Sequence, residues 1–317
     1  MSTYLVTGSM GCLGAWALHH LVQEGIKVVS FDLSENRSRL DLLMTPEEQE
    51  AIVFVKGDLT DAEAVNGVLE QHSVDHILHL AALQVPFCKA DPILGAQVNV
   101  VGTVTLFEAA LKAGIKHLAF ASSVGVFGPP EVYESSLLED DAALIPGTLY
   151  GVYKRANEGT ARVYWQDHGL SSVTLRPYTV YGLGRDQGLT SEPTKAMLAA
   201  ASGQDFDISF GGHMQFHFAS DVARQFIEAA RTPVQGAKSF NLGGEPVAVS
   251  KVAGIIEKLR PESRVSVADR TLPFPEGAKS DAYTGYSSVR VTPLEQGIAQ
   301  TIEQFEARLK TGQLKTP

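Results

Sequence analysis

Short apolar runs punctuate the first 176 residues: YLVT, KVVSFD, AIVFV, DHILHLAA, HLAFASS and SVTLR. The stretches between them carry apolar residues at helical spacing, so the pattern predicts strands alternating with helices. Strands apolar on both faces belong in a parallel sheet covered by helices on each side, joined by right-handed crossovers. The predicted class is therefore α/β, a doubly wound parallel sheet. Residues 34–50 are polar and irregular and predict a loop with a short helix. Thr60 and Glu63 have the spacing of a capping box at the start of the next helical stretch.

Beyond Arg176-Pro177 turn residues multiply, in YGLGRDQG, SFGGH and NLGGEP, and such loops are where a substrate site is expected. FASDVARQFIEAA reads as a helix returning to the main core. Residues 246–317 read as a small lobe whose last helix starts with Thr292 as cap, Pro293 at the first position and Glu295 closing a capping box. The expected division is a dinucleotide-binding domain over 1–176, rejoined by 213–245, and a C-terminal α/β substrate lobe built from 177–212 and 246–317.

Composition narrows the function classes. A chain of 317 residues, 44% of them hydrophobic, can fill a sizeable core. Its 36 acidic and 26 basic residues leave a net charge of −10, which argues against a nucleic-acid partner. Cys12 and Cys88 are too few for a disulfide framework and lack metal-ligand spacing, so reduced thiols, a cytoplasmic location and no metal are expected. No export signal is visible at the start, and no apolar window is read as approaching the roughly twenty residues of a bilayer span. A membrane partner is therefore not expected.

In TGSMGCLG, Gly8, Gly11 and Gly14 follow the first strand and open a helix. That arrangement lets the backbone turn tightly and aim free N–H groups and the positive helix end at a pyrophosphate. The spacing G-x-x-G-x-x-G departs by one residue from the usual dinucleotide fingerprint. Asp32 ends the second strand, where a carboxylate accepts from the adenosine ribose hydroxyls and repels a 2′-phosphate, which favours NAD over NADP. Tyr150 and Lys154, four apart in LYGVYKRANE, share one helix face. A phenol becomes a base near neutral pH only if its phenolate is favoured by about 4 kcal/mol, at about 1.4 kcal/mol per pH unit.

These features, with Asp58-Leu59, HLAA at 79–82, Asn99, ASSVGVFG at 121–128 and RPYTVYG, resemble the extended short-chain dehydrogenase/reductase superfamily. Within it the likeness is to the NAD-dependent epimerase/dehydratase family, over nearly the whole chain. The resemblance implies a Rossmann-type sheet with NAD as cofactor. It implies Ser123, Tyr150 and Lys154 as the catalytic set: Ser123 shares the substrate oxygen, Tyr150 moves its proton, and Lys154 lowers the phenol's pKa and holds the nicotinamide ribose. Implied cofactor contacts are Gly8, Gly11, Cys12, Leu13 and Gly14 at the pyrophosphate, Asp58 and Leu59 beside the adenine, and Leu80, Ala81 and Ala82 along the cofactor path. Asn99 near the active-site strands and Tyr178 and Val180 near the nicotinamide complete that set. Pairing of family members through helices at about 89–112 and 148–168 implies a homodimer.

The resemblance breaks at instructive places. Met214, in MQFHFASDV, stands where nucleotide-sugar enzymes commonly carry a phosphate-clamping arginine, and Thr179 where they often carry Asn. Val124 and Gly125 stand where a dehydratase has an Asp-Glu pair. Arg185 or Arg290 is read as an alternative anion anchor. Gln84, Thr179 and Gln215 are read as substrate contacts, with His213 and His217 as possible lining of a small polar pocket. The reading is an NAD-dependent oxidoreductase acting at a secondary hydroxyl of a sugar, sugar acid or small polyol. An NAD-retaining sugar epimerase is the second reading, and a nucleotide-sensing binding module the remote one.

Overall fold

A computed structural model describes residues 2–279 and 289–315. Seven strands form one parallel sheet: β1 (Thr3–Thr7), β2 (Lys27–Asp32), β3 (Ile52–Lys56), β4 (His76–His79), β5 (His117–Ala121), β6 (Ser171–Arg176) and β7 (Ala237–Asn241). Their order is β7-β6-β5-β4-β1-β2-β3. The strand order reverses between β1 and β4, and in such sheets the crevice beyond the carboxyl ends at that point receives the ligand.

Alternation along each strand divides the interior into two cores. Tyr4 and Val6 of β1 join one with Leu18 and Phe226, whereas Leu5 joins the other with Phe107, Phe120 and Val65. Helices α1 (Cys12–Gln23) and α5 (Ala219–Arg231) pack against each other over the first core. Helices α2 (Ala62–His72), α3 (Gly102–Lys112) and α4 (Leu149–His168) cover the second. A strand apolar on both faces has no other way to keep its side chains from water, which is why these runs carry so few charges. The first core runs on into the C-terminal segments through Met197, Phe210, Ile256 and Ile302. There, two-stranded ladders (179–181 with 216–218, 206–208 with 265–267, 137–138 with 277–278) hold the loops in place.

Three local expectations are corrected. Asp61 rather than Thr60 caps α2, accepting from the Glu63 and Ala64 amides, because the Thr60 hydroxyl is drawn back to Asp58 Oδ1 at 2.8 Å. The last helix spans Leu294–Lys310 with Pro293 in the cap position and no side-chain cap; the Thr292 amide instead donates to Asp221 Oδ2 at 2.6 Å. A capping box does open the short helix Pro46–Gln49, between Thr45 and Glu48. Third, Pro92–Lys112 is one helical run of 21 residues with mean hydropathy 1.4, long and apolar enough to cross a membrane, which the sequence reading did not anticipate. A π-helical turn, Gln97–Val101, sits in its middle without breaking it. Its inward face carries Asn99, Thr103, Leu106 and Phe107, while Ile93, Leu94 and Val101 are exposed.

Candidate active site

Glycine is required at the turn between β1 and α1. Gly8 has φ +67°, and a Cβ there would lie 2.5 Å from the Ala81 backbone; at Gly14 it would lie 2.2 Å from the Gly8 carbonyl. The turn therefore presses against the segment after β4, and α1 starts at Cys12 with its first amides free of helical partners. Asp32 ends β2 beside it. One carboxylate oxygen accepts from Met10 N at 2.9 Å and the other from Ser34 N at 2.8 Å, which orients the group at the cleft edge.

A cavity of about 620 Å³ runs from this turn to the catalytic candidates. Gly8, Gly11, Cys12, Leu13, Gly14, Asp32, Asp58, Leu59, Leu80, Ala81 and Ala82 line one part of it. Gln84, Ser123, Tyr150, Lys154, Tyr178, Val180 and Arg185 line the rest. The elongated cleft, the glycine cradle that a Cβ would fill and the carboxylate at the β2 end fit an NAD molecule.

Helix α4 begins under a Thr148 cap whose Oγ1 accepts from Gly151 N at 3.1 Å. A Cβ at Gly151 would lie 2.0 Å from the Gly125 carbonyl, so the first turn of α4 seats directly on the turn after Ser123. This close seating brings Ser123 beside Tyr150, where its hydroxyl favours the phenolate. Lys154 is buried; its Nζ donates to the Ala121 carbonyl at 2.6 Å and lies 5.7 Å from the Tyr150 ring centroid.

Burial is the largest influence on Tyr150 and pushes its pKa up, opposed by the Ser123 hydrogen bond and then by the Arg185 charge. Burial also lowers Lys154 to about 8, against Cys88 and Glu158. The lysine alone does not acidify the phenol: its ammonium is held by Ala121 O, and desolvation penalises phenolate and ammonium alike. A further positive charge in the cavity is needed to favour the phenolate.

A buried polar frame holds this geometry. Glu158 accepts from Ser122 Oγ at 2.6 Å and from Arg176 Nε and Nη2 at 2.8 and 2.6 Å, tying α4 to the ends of β5 and β6. Asn157 donates to the Asn99 carbonyl, which the π-helical turn frees for it. The Asn99 side chain clamps Leu83, accepting from its N–H at 2.7 Å and donating to its carbonyl at 2.8 Å.

Several expected contacts lie elsewhere. Asn99 is spent on the Leu83 backbone and supports the cavity wall rather than lining it. Thr179 is buried against Met214, its Oγ1 3.0 Å from the sulfur. Gln215 donates to the Gly244 and Ala278 carbonyls and accepts from Ala278 N, so no polar atom is left to meet a substrate. Arg290 is exposed and borders a separate depression with His20 and Arg224. His213 is exposed, while His217 is buried and lowered to about 4 by desolvation. Neither lines the cavity. The sequence reading missed Phe274, Asp186 and Leu83 as cavity wall. It also did not foresee that Arg39 would bind Met10 O at 2.8 Å and pair with Asp186 at 2.6 Å, bridging two loops. No local pattern marks such residues, because they meet the cavity only through tertiary folding.

Comparison with known proteins adds an independent line. A model described as the NAD dependent epimerase/dehydratase family matches residues 4–243. A UDP-glucose 4-epimerase of Mycolicibacterium smegmatis is 33% identical over 246 residues, covering 75% of this chain and 76% of that one. Among solved structures, the Thermus thermophilus UDP-glucose 4-epimerase in complex with NAD superposes with a TM-score of 0.79 at 24% identity, covering 96% and 98% of the two chains. An L-threonine dehydrogenase from Clostridium difficile superposes with a TM-score of 0.84 at 19% identity, covering 97% and 98%. These two likenesses speak for the fold.

Proposed function

Because this chain belongs to the NAD-dependent epimerase/dehydratase family and its cofactor is NAD, we propose that it oxidises a secondary hydroxyl of a small carbohydrate carrying no nucleotide. The observation that carries the second half of this reading is the Thr179–Met214 pair. At the positions where nucleotide-sugar enzymes often carry an Asn and commonly carry a phosphate-clamping arginine, this chain has two buried side chains bonded to each other. Neither carries charge, so a bidentate contact to a diphosphate is missing there.

Bound NAD⁺ supplies the hydride acceptor and a positive charge. Ser123 Oγ holds the substrate oxygen, fixing which C–H bond faces the acceptor. Tyr150 Oη accepts the hydroxyl proton as that bond breaks. Lys154, anchored on Ala121 O, lies against the ring and adds its charge to the same pocket.

A second reading, epimerisation with NAD retained, is favoured by the identity shared with the M. smegmatis UDP-glucose 4-epimerase. It uses the same three side chains. The two separate when protein and NAD⁺ are mixed with a panel of free sugars, aldonates and polyols, and NADH absorbance is followed. Net NADH formation is expected. Inversion of UDP-glucose seen by NMR, with no NADH from any free sugar, would reject the first reading.

The proposal extends to a homodimer. Ile93, Leu94 and Val101 on one helical run and Leu149, Val152 and Val163 on α4 leave apolar side chains exposed on the helices by which family members pair. Light scattering at micromolar concentration should give twice the chain mass; a monomer would exclude it.

A further inference from the structure

Among the described residues, two buried polar atoms in the cavity wall have no partner: Gln84 Oε1 and Arg185 Nε. Their side chains approach one backbone position. A Cβ on Gly188, where φ is +103°, would lie 2.3 Å from Gln84 Oε1 and 2.9 Å from Arg185 Nη2. Any other residue there would close the space between amide and guanidinium, and the positive φ independently disfavours a side chain. Gln84 precedes the short helix Val85–Ala90, and Arg185 follows the turn at Gly182 and Gly184. Two separate loops thus bring an acceptor and a cation to one point.

The remaining charges in the cavity are committed. Among the described lining residues, Arg39 pairs with Asp186 at 2.6 Å and Lys154 is anchored on Ala121 O. Among the described residues Arg185 has no ion pair, and its one side-chain hydrogen bond, Nη2 to Thr190 Oγ1, is 3.5 Å long. A partly buried guanidinium with an unsatisfied edge is costly unless an anion meets it. One uncommitted cation matches one carboxylate.

We propose that Arg185 and Gln84 read a sugar acid: the carboxylate accepts from the Arg185 guanidinium edge, and a neighbouring hydroxyl donates to Gln84 Oε1. The inference rests on the hydride-transfer reading above and names its substrate class. A site built to bind a charged group rejects an analogue lacking it, because its own buried donor is then left unpaired. The corresponding neutral alditol should therefore be a poor substrate. The Arg185 charge acts on the Tyr150 phenol and on the Cys12 thiol of the glycine turn alike.

The test uses the full chain loaded with NAD⁺. Tyr150→Phe provides a form in which binding can be measured without turnover. Calorimetry with four- to six-carbon aldonates should find at least one that binds, and Arg185→Gln in that background should weaken it about 10- to 100-fold. In enzyme with Tyr150 intact, the ratio of kcat/KM for that aldonate to its alditol should fall by a similar factor on Arg185→Gln, with Arg185→Lys recovering part of it. Binding without NADH formation would sink hydride transfer while leaving the acid site standing. NADH formation with equal preference for acid and alditol, or failure of every aldonate to bind, would overturn the acid site. So would an Arg185→Gln effect falling on NAD⁺ affinity, since the guanidinium would then belong to the cofactor's pyrophosphate.

Discussion

Replacing Glu158 by Gln should destabilise the fold by about 3 kcal/mol. The Glu158 and Arg176 side chains are 7% and 3% exposed and joined at 2.6 Å. Removing one partner of a buried pair leaves the other charge uncompensated, which costs about 3–5 kcal/mol. The lower end applies because Arg176 keeps the Asp140 carbonyl at 2.8 Å and Asn241 Oδ1 at 3.2 Å, and glutamine still offers an oxygen to Ser122. Urea unfolding followed by both fluorescence and circular dichroism measures the loss. The double variant Glu158→Gln/Arg176→Met should recover at least half of it, since no buried charge is then orphaned. A single-variant loss under about 1 kcal/mol, or a double variant as weak as the sum of the two singles, would refute the reasoning.

Three further predictions concern the site and the buried histidines. Tyr150→Phe should lower kcat by at least about 10²-fold with NAD⁺ affinity kept, read by turnover and by calorimetry; unchanged turnover would remove Tyr150 as the proton acceptor. Gly151→Ala should leave the protein folded by circular dichroism but cut activity, because the added Cβ meets the Gly125 carbonyl and lifts α4 from the serine turn. Desolvation lowers His20 and His79 to about 3 and His217 to about 4. Above pH 6.5 both states keep these rings neutral; below it the unfolded chain takes protons that the folded one refuses. Stability should therefore fall with acidification from pH 6.5 toward 4, by up to about 1.4 kcal/mol per pH unit for each histidine. A flat stability profile across that range would contradict the burial, and His217→Gln should shallow the slope.

Local pattern was enough for the strands, the glycine turn and the Tyr150–Lys154 face, because each is written in spacing. A strand's faces alternate every residue, a helix repeats every 3.6, and a turn needing positive φ asks for glycine at Gly8. Thr60 and Asp61 can each cap the same amides, and spacing alone does not rank them; Asp58 takes the Thr60 hydroxyl, which leaves the Glu63 and Ala64 amides to Asp61. The apolar length of Pro92–Lys112 was hidden by Gln97 and Asn99, of which the folded helix turns Asn99 inward onto the Leu83 backbone and leaves Gln97 exposed.

What only the folded chain decided is where long-range partners meet. Gln215 and Thr179 look like substrate contacts in a turn-rich stretch, yet backbone groups of Gly244 and Ala278, 29 and 63 residues away, consume the first and Met214 covers the second. Arg185 and Gln84, 101 positions apart, reach one cavity only because the order of strands places their loops at the same end of the sheet. The protonation of Tyr150 and Lys154 belongs to that same level. Spacing put the two groups on one face, but how much water the surrounding chain excludes determines whether burial or charge governs the phenol, and burial is a property of the whole fold.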